Sequence, residues 1–408
     1  MRKVRKYIIY GLLFLGLFKI SSLHAGDFIL LTEQDVQALQ QKRANKSIHS
    51  VLQILNELAQ HALTEPIRTI TSVRAPFKDI DIHAYYSESP YWWPDSANLD
   101  GPFIRHDGLR YPGRFLGHKN LLMNMYRKLT ALSLAAYFLD DTLSAQKARE
   151  ILKAWFINPK TRMAPHLQYA QAVRHKSNGR SFGIIETHRF VELMPALRFL
   201  QASGCWPAEE QAHLKEWLRV YLKWLTQSDF GIKEKMHGNN HSTWWSAQVM
   251  AIARFLENDS LFEATRQHVV DYLFEKQIEP PGRFPLEEER TKSLSYTIFN
   301  LNAHAYIAQM VYVCDNENLW LVKNSRNVAL ADVVQYVTPY LKRPDTWPHK
   351  QITPVARWQI VFSLFYGNLE PEYLGLYRRY AIEIPNYKEK LVHDPFSALF
   401  DLVCLSKQ

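Results

Sequence analysis

The chain has 408 residues, 47% of them hydrophobic and 22% charged, and its 49 Lys plus Arg outnumber 40 Asp plus Glu for a formal charge of +9. This composition excludes a disordered chain and is ample for a large core. The mild basic excess suits an acidic partner but lacks the clustered basic faces that nucleic acid requires. Cys205, Cys314 and Cys404 are odd in number and widely spaced, which excludes a zinc motif and limits the chain to one disulfide.

Arg2, Lys3, Arg5 and Lys6 precede an apolar run from Tyr7 to Phe18, and Ser22-Leu23-His24-Ala25 ends on a small residue. Residues 1–25 therefore read as a secretory signal peptide. The run is shorter than the roughly 20 residues of a spanning helix, so no stable membrane anchor is expected and the protein belongs in the periplasm or outside the cell. Without this segment, 44 basic residues face 40 acidic ones.

Residues 26–408 are expected to form one domain. Helical periodicity recurs over 33–63, 120–139, 144–156, 186–202, 208–226, 242–256, 260–275, 293–313, 324–341, 356–365 and 395–405. Val51, Leu52, Leu55, Leu58 and Ala59, for example, form one apolar stripe. Strand-like alternation is scarce, and prolines and glycines fall between the periodic segments. Paired helices of similar length predict an all-α, antiparallel array that closes on itself as a monomer, with function in the loops of one rim.

Four segments carry side chains suited to chemistry. The irregular stretch from about 72 to 118 contains Tyr91, Trp92 and Trp93, rings that stack on sugars or else plug the centre of the array. His188 and Arg189 open a helix behind Gly183. Arg189 can fork a carboxylate with two parallel hydrogen bonds or pair with Glu186 or Glu192. In HGNNHSTWW, Asn239 or Asn240 caps a helix, which puts His241 in its first turn and on one face with Trp244 or Trp245. In ERTKSLSY, Arg290 precedes a helix that carries Tyr296.

An amide, an imidazole, a guanidinium and a phenol together are what is needed to mask a sugar carboxylate and move the proton beside it. The C5 proton of a uronate leaves only if that carboxylate's charge is masked, which donors such as Asn240, His241 and Arg290 can do. Tyr296 can then take the proton and return it to the leaving oxygen, given a nearby cation to favour its phenolate. This scheme requires no metal and no cofactor. Two alternatives stay open: a toroidal glycoside hydrolase using two of Glu186, Asp229, Glu287, Glu288 and Glu289, and a carbohydrate-binding protein without catalysis.

Segments YYSESPYWWPD, WFINPKTRMAPHLQYAQA, SFGIIETHRFVEL, NNHSTWW and ERTKSLSYTIFNL resemble the alginate lyase family and related uronan lyases, over about residues 78–352. The resemblance implies an (α/α) toroid whose cleft cuts an acidic polysaccharide by β-elimination. It also implies that Asn240 and His241 neutralise the C5 carboxylate, Arg290 assists, and Tyr296 transfers protons.

Overall fold

The computed structural model describes residues 28–77, 79–356 and 359–407, so the expected signal peptide lies outside the described residues. Its framework is helical: α1 (Glu33–Gln41), α2 (Lys46–Thr64), α3 (Gly117–Phe138), α4 (Thr142–Leu152), α5 (Phe190–Ala202), α6 (Ala208–Gln227), α7 (Asp229–Lys235), α8 (Asn240–Phe255), α9 (Asp259–His268), α10 (Ser293–Asp315), α11 (Leu330–Lys342), α12 (Val361–Tyr366), α13 (Glu372–Tyr377), α14 (Tyr387–His393) and α15 (Ser397–Ser406).

Burial sorts these helices into two layers. Helix α8 buries 14 of its 16 residues, so it is covered on all sides, as a central element must be. Helix α6 buries only the stripe Leu214, Trp217, Leu218, Tyr221, Leu222 and Leu225, the spacing of a helix with one covered face. The inner helices pack in the order α2, α3, α5, α8, α10, α12, α15 and back to α2, which closes the ring. Helices α4, α6, α9 and α11 lie outside it.

Local chemistry explains where helices differ from the sequence expectation. The single stripe expected over 33–63 is two helices, because Thr32 and Asp35 form a reciprocal cap at the first and the Asn45 side chain caps the second. The helix expected from Asn324 begins at Leu330, since the Asn324 side chain binds the carbonyls of Phe274 and Ile278 and fixes a loop.

Two small sheets build the rim. Strand β1 (Tyr86–Glu88) runs parallel to β4 (Tyr169–Ala172), and β2 (Trp92–Trp93) pairs antiparallel with β3 (Ile104–Arg105). Buried Glu186 anchors β1, accepting hydrogen bonds from Tyr85 at 2.8 Å and Ser87 at 2.5 Å. That anchor fixes the segment leading into Tyr91. Among the described residues no helix is long and apolar enough to cross a membrane.

Candidate active site

The toroid brings the starts of its inner helices to one rim. His188 and Arg189 before α5, Trp244 in α8, Ser295 in α10, Val361 in α12 and Ser397 in α15 all line one cavity of about 130 Å³. Helix N-termini carry partial positive charge, so this rim favours an anionic ligand.

Asn240 and His241 occupy the first turn of α8. Gly238 makes the preceding turn at φ +73°, and the Asn239 side chain caps the helix by accepting the His241 N–H at 3.1 Å. The main-chain N–H and Nδ2 of Asn240 both donate to Glu287, at 2.7 Å each. Its Oδ1 is buried without a partner among the described residues. An unmet buried acceptor costs about 1–3 kcal/mol, which a ligand donor relieves.

His241 binds Glu234 through Nδ1 at 2.6 Å, leaving Nε2 for a ligand. Burial pushes the Glu234 carboxyl up, but His241 and His237 outweigh it and hold the carboxyl below its ordinary value. Glu234 is therefore an ionised clamp that fixes the imidazole ring.

Arg290 forks onto Asp107, with Nη2 at 2.7 Å and Nε at 3.2 Å from Oδ1. Its guanidinium carbon also lies 3.9 Å from the centre of the Tyr296 ring. The Tyr296 hydroxyl meets the Tyr91 hydroxyl at 2.7 Å. Burial and Tyr91 raise the Tyr296 pKa well above the usual phenol value, and Arg290 offsets only part of this. The stacked cation expected from sequence is thus present, yet the free protein keeps Tyr296 as a phenol.

Glu287 ties the two clusters together. It holds Asn240 on one side and feels the Arg290 charge on the other, and burial pushes its carboxyl up to about 7. The sequence marked Glu287 only as a candidate hydrolase carboxylate. The carboxylate on Arg290 is Asp107, from a loop 183 residues away. Of the other candidate hydrolase acids, Glu186 is engaged by Tyr85, Ser87 and Lys119 and Glu288 by Arg283, while Asp229 and Glu289 are exposed.

The remaining sequence candidates fall into different settings. Tyr91 reaches the Tyr296 hydroxyl with its own. The Trp92 ring packs beneath two cations, with Lys176 Nζ 4.5 Å and Arg180 5.6 Å from its centroid. Trp93 donates its indole N–H to the Leu109 carbonyl at 2.9 Å and packs on Tyr111, a structural setting. Trp244 is buried against His188 and Phe299. His188 holds the Ile185 carbonyl through Nδ1, and burial with the neighbouring Arg189 pushes it down to about 3, so it is neutral. Arg189 is held by Glu192 and Asp394, at 2.5 and 2.9 Å, which is the structural alternative for that residue.

Residues 70–347 match the family model for alginate lyase, more than half of the chain. A crystal structure of an alginate lyase from Bacteroides ovatus is similar at 27% identity and a TM-score of 0.83, over 91% of this chain and 100% of that one. Alginate lyase A1-III from Sphingomonas species A1 shares the fold at 13% identity and a TM-score of 0.50, over 90% of this chain and 93% of that one. A tyrosine-to-phenylalanine variant of A1-III complexed with a tetrasaccharide matches at 14% identity and a TM-score of 0.52, over 84% of this chain and 90% of that one. No curated protein matches the chain. The chain belongs to the alginate lyase family and is a polysaccharide lyase with the α/α-toroid fold.

Proposed function

We propose that the protein cleaves a uronic acid polymer, a mannuronan-type alginate or a glucuronan, by β-elimination in the cleft on the ring's N-terminal rim. The observation that carries this reading is the joining of two half-sites: Asn240 and His241 at the start of α8, and Arg290, Tyr296 and Tyr91 beside α10, with Glu287 between them.

In this reading the substrate carboxylate accepts a hydrogen bond from the second N–H of Asn240 Nδ2, the first being held by Glu287, and one from His241 Nε2, which masks its charge as the C5 proton leaves. Tyr296 is the proton carrier. In D-mannuronate and D-glucuronate, H5 and the C4 oxygen lie on the same face, so one phenolate can remove the proton and return it to the departing oxygen. Arg290, stacked on the ring, favours that phenolate, and the phenol first loses its proton to solvent, with the Tyr91 hydroxyl left as hydrogen-bond partner of the phenolate oxygen. Asp107 keeps the Arg290 guanidinium in place, and Glu234 keeps the His241 ring in place.

Residues 26–408 are the catalytic domain in this proposal, acting as an exported monomer in the periplasm or medium. The test is to incubate purified protein with mannuronan, guluronan and glucuronan and follow ultraviolet absorbance of the new C4–C5 double bond. Products with a double bond support elimination. Cleaved products without one overturn it in favour of hydrolysis.

A further inference from the structure

Most arginines around the rim have a carboxylate of their own. Arg174 pairs with Glu88, Arg189 with Glu192 and Asp394, Arg283 with Glu288, and Arg290 with Asp107. Arg180 is different. Its Nε donates to the Gln171 carbonyl at 3.1 Å, and its Nη2 donates to Ser89 Oγ at 2.6 Å and Gln171 Oε1 at 3.2 Å. All of these acceptors are neutral. Among the described residues no carboxylate pairs with it, and its Nη1 makes no hydrogen bond to the protein.

The guanidinium is also set between rings, 5.0 Å from the centre of Phe182 and 5.6 Å from that of Trp92. Phe182 meets His241 edge-on at 4.8 Å, and Trp92 follows Tyr91 in the chain. Arg180 therefore stands beside the elimination centre, one ring away from His241. Burial and the nearby Arg105 push its guanidinium down to about 10, and the Glu234 carboxylate, which acts on it without forming an ion pair, offsets only part of this. Gln171, which supplies two of its three acceptors, has a left-handed backbone at φ +50° although it is not glycine. The fold thus holds a half-buried cation rigidly and leaves one face of it unanswered. An isolated buried charge is costly, and an anion delivered to it removes that cost.

We propose that Arg180 is a second carboxylate site, which takes the carboxylate of a uronate unit adjacent to the one held by Asn240 and His241. The free Nη1 edge gives one or two charge-assisted hydrogen bonds to that carboxylate, and Trp92 backs the guanidinium from behind. The site selects polymers with consecutive uronates over polymers in which uronates alternate with neutral sugars. This inference rests on the proposed elimination function and deepens it.

The test measures binding of an oligomannuronate, and of a neutral mannose oligosaccharide of equal length, to the full chain in a Tyr296→Phe background that prevents turnover. Arg180→Gln is expected to weaken oligomannuronate binding by about 10-fold to 100-fold, the scale of a lost charge-assisted bond, and to leave the neutral oligosaccharide unaffected. Arg180→Lys, which keeps the charge but loses the planar fork, should fall between. If Arg180→Gln does not fold, the Lys variant alone decides, by the same difference between charged and neutral ligand. Equal weakening of both ligands, or none of either, overturns the proposal and leaves Arg180 as a brace for Gln171 and Ser89. If the wild-type protein forms no unsaturated product from any uronan, the function itself fails; if it does while the Arg180 variants bind normally, only this site fails.

Discussion

The phenolic oxygens of Tyr91 and Tyr296 lie 2.7 Å apart, although the residues are 205 positions apart in the chain and belong to a rim loop and an inner helix. In the proposed mechanism this contact makes the loop a part of the reaction centre. Tyr296→Phe removes one hydroxyl and almost no volume, so its melting temperature should stay near wild type while kcat falls by about 100-fold or more. Tyr91→Phe should lower kcat by about 10-fold, because Tyr296 remains but loses its proton partner. Parallel kinetics of the two variants check this ordering.

The raised pKa of Tyr296 gives the reaction a pH signature. The base form is the deprotonated one, so its population grows with pH throughout the range below that pKa. The kcat/KM of the wild-type protein is therefore expected to rise from about pH 7 to about pH 9, and Tyr296→Phe should lose this rise. A profile already flat at neutral pH would move the base role to His241.

Glu287 predicts a stability trend of its own. Its carboxyl sits at about 7 in the folded protein against an ordinary 4.5, so the unfolded chain releases this proton first. Its contribution is intact below about pH 4 and is lost as pH rises through about 7, to a total of about 3 kcal/mol. In Glu287→Gln the titrating proton is gone, and the new amide oxygen can still accept the Asn240 main-chain N–H, while its NH2 finds an acceptor once the Asn240 amide turns to present Oδ1 in place of Nδ2. Denaturant melts from pH 4 to pH 8 should show wild type losing stability relative to Glu287→Gln across that window.

The two adjacent tryptophans should respond oppositely. Trp93 carries a hydrogen bond to Leu109 and packs on Tyr111, so Trp93→Ala should cost about 2 kcal/mol or more of stability. Trp92 backs Lys176 and Arg180 on the rim, so Trp92→Ala should raise KM about 10-fold with a smaller effect on melting. Thermal melts and KM values on a uronan separate the two.

Helical periodicity made the all-α array legible, because inner and outer helices bury stripes or whole surfaces of predictable spacing. The cap on α8 was legible to within one residue, as Asn239 or Asn240, and the fold gives it to Asn239. The partners of the site residues were not. Asp107 is an ordinary loop aspartate until the fold brings it to Arg290, and Glu234 lies one helix before His241 with no spacing to mark it. Arg189 had two readings of equal chemical sense, and the folded contacts tell them apart: Glu192 pairs with it, and Asp394 joins from the far end of the chain. Arg180 carried no motif at all. What marks it is that no carboxylate among the described residues pairs with it, a property of three dimensions.

The most direct measurement is the rate of double-bond formation by the wild-type protein and by Tyr296→Phe on the best of several uronans, each with its melting temperature recorded. The account predicts unsaturated product from the wild type and a loss of about 100-fold or more in a Tyr296→Phe protein that melts as the wild type does. Near-wild-type production of the double bond by Tyr296→Phe, or cleavage by the wild type without one, would contradict it.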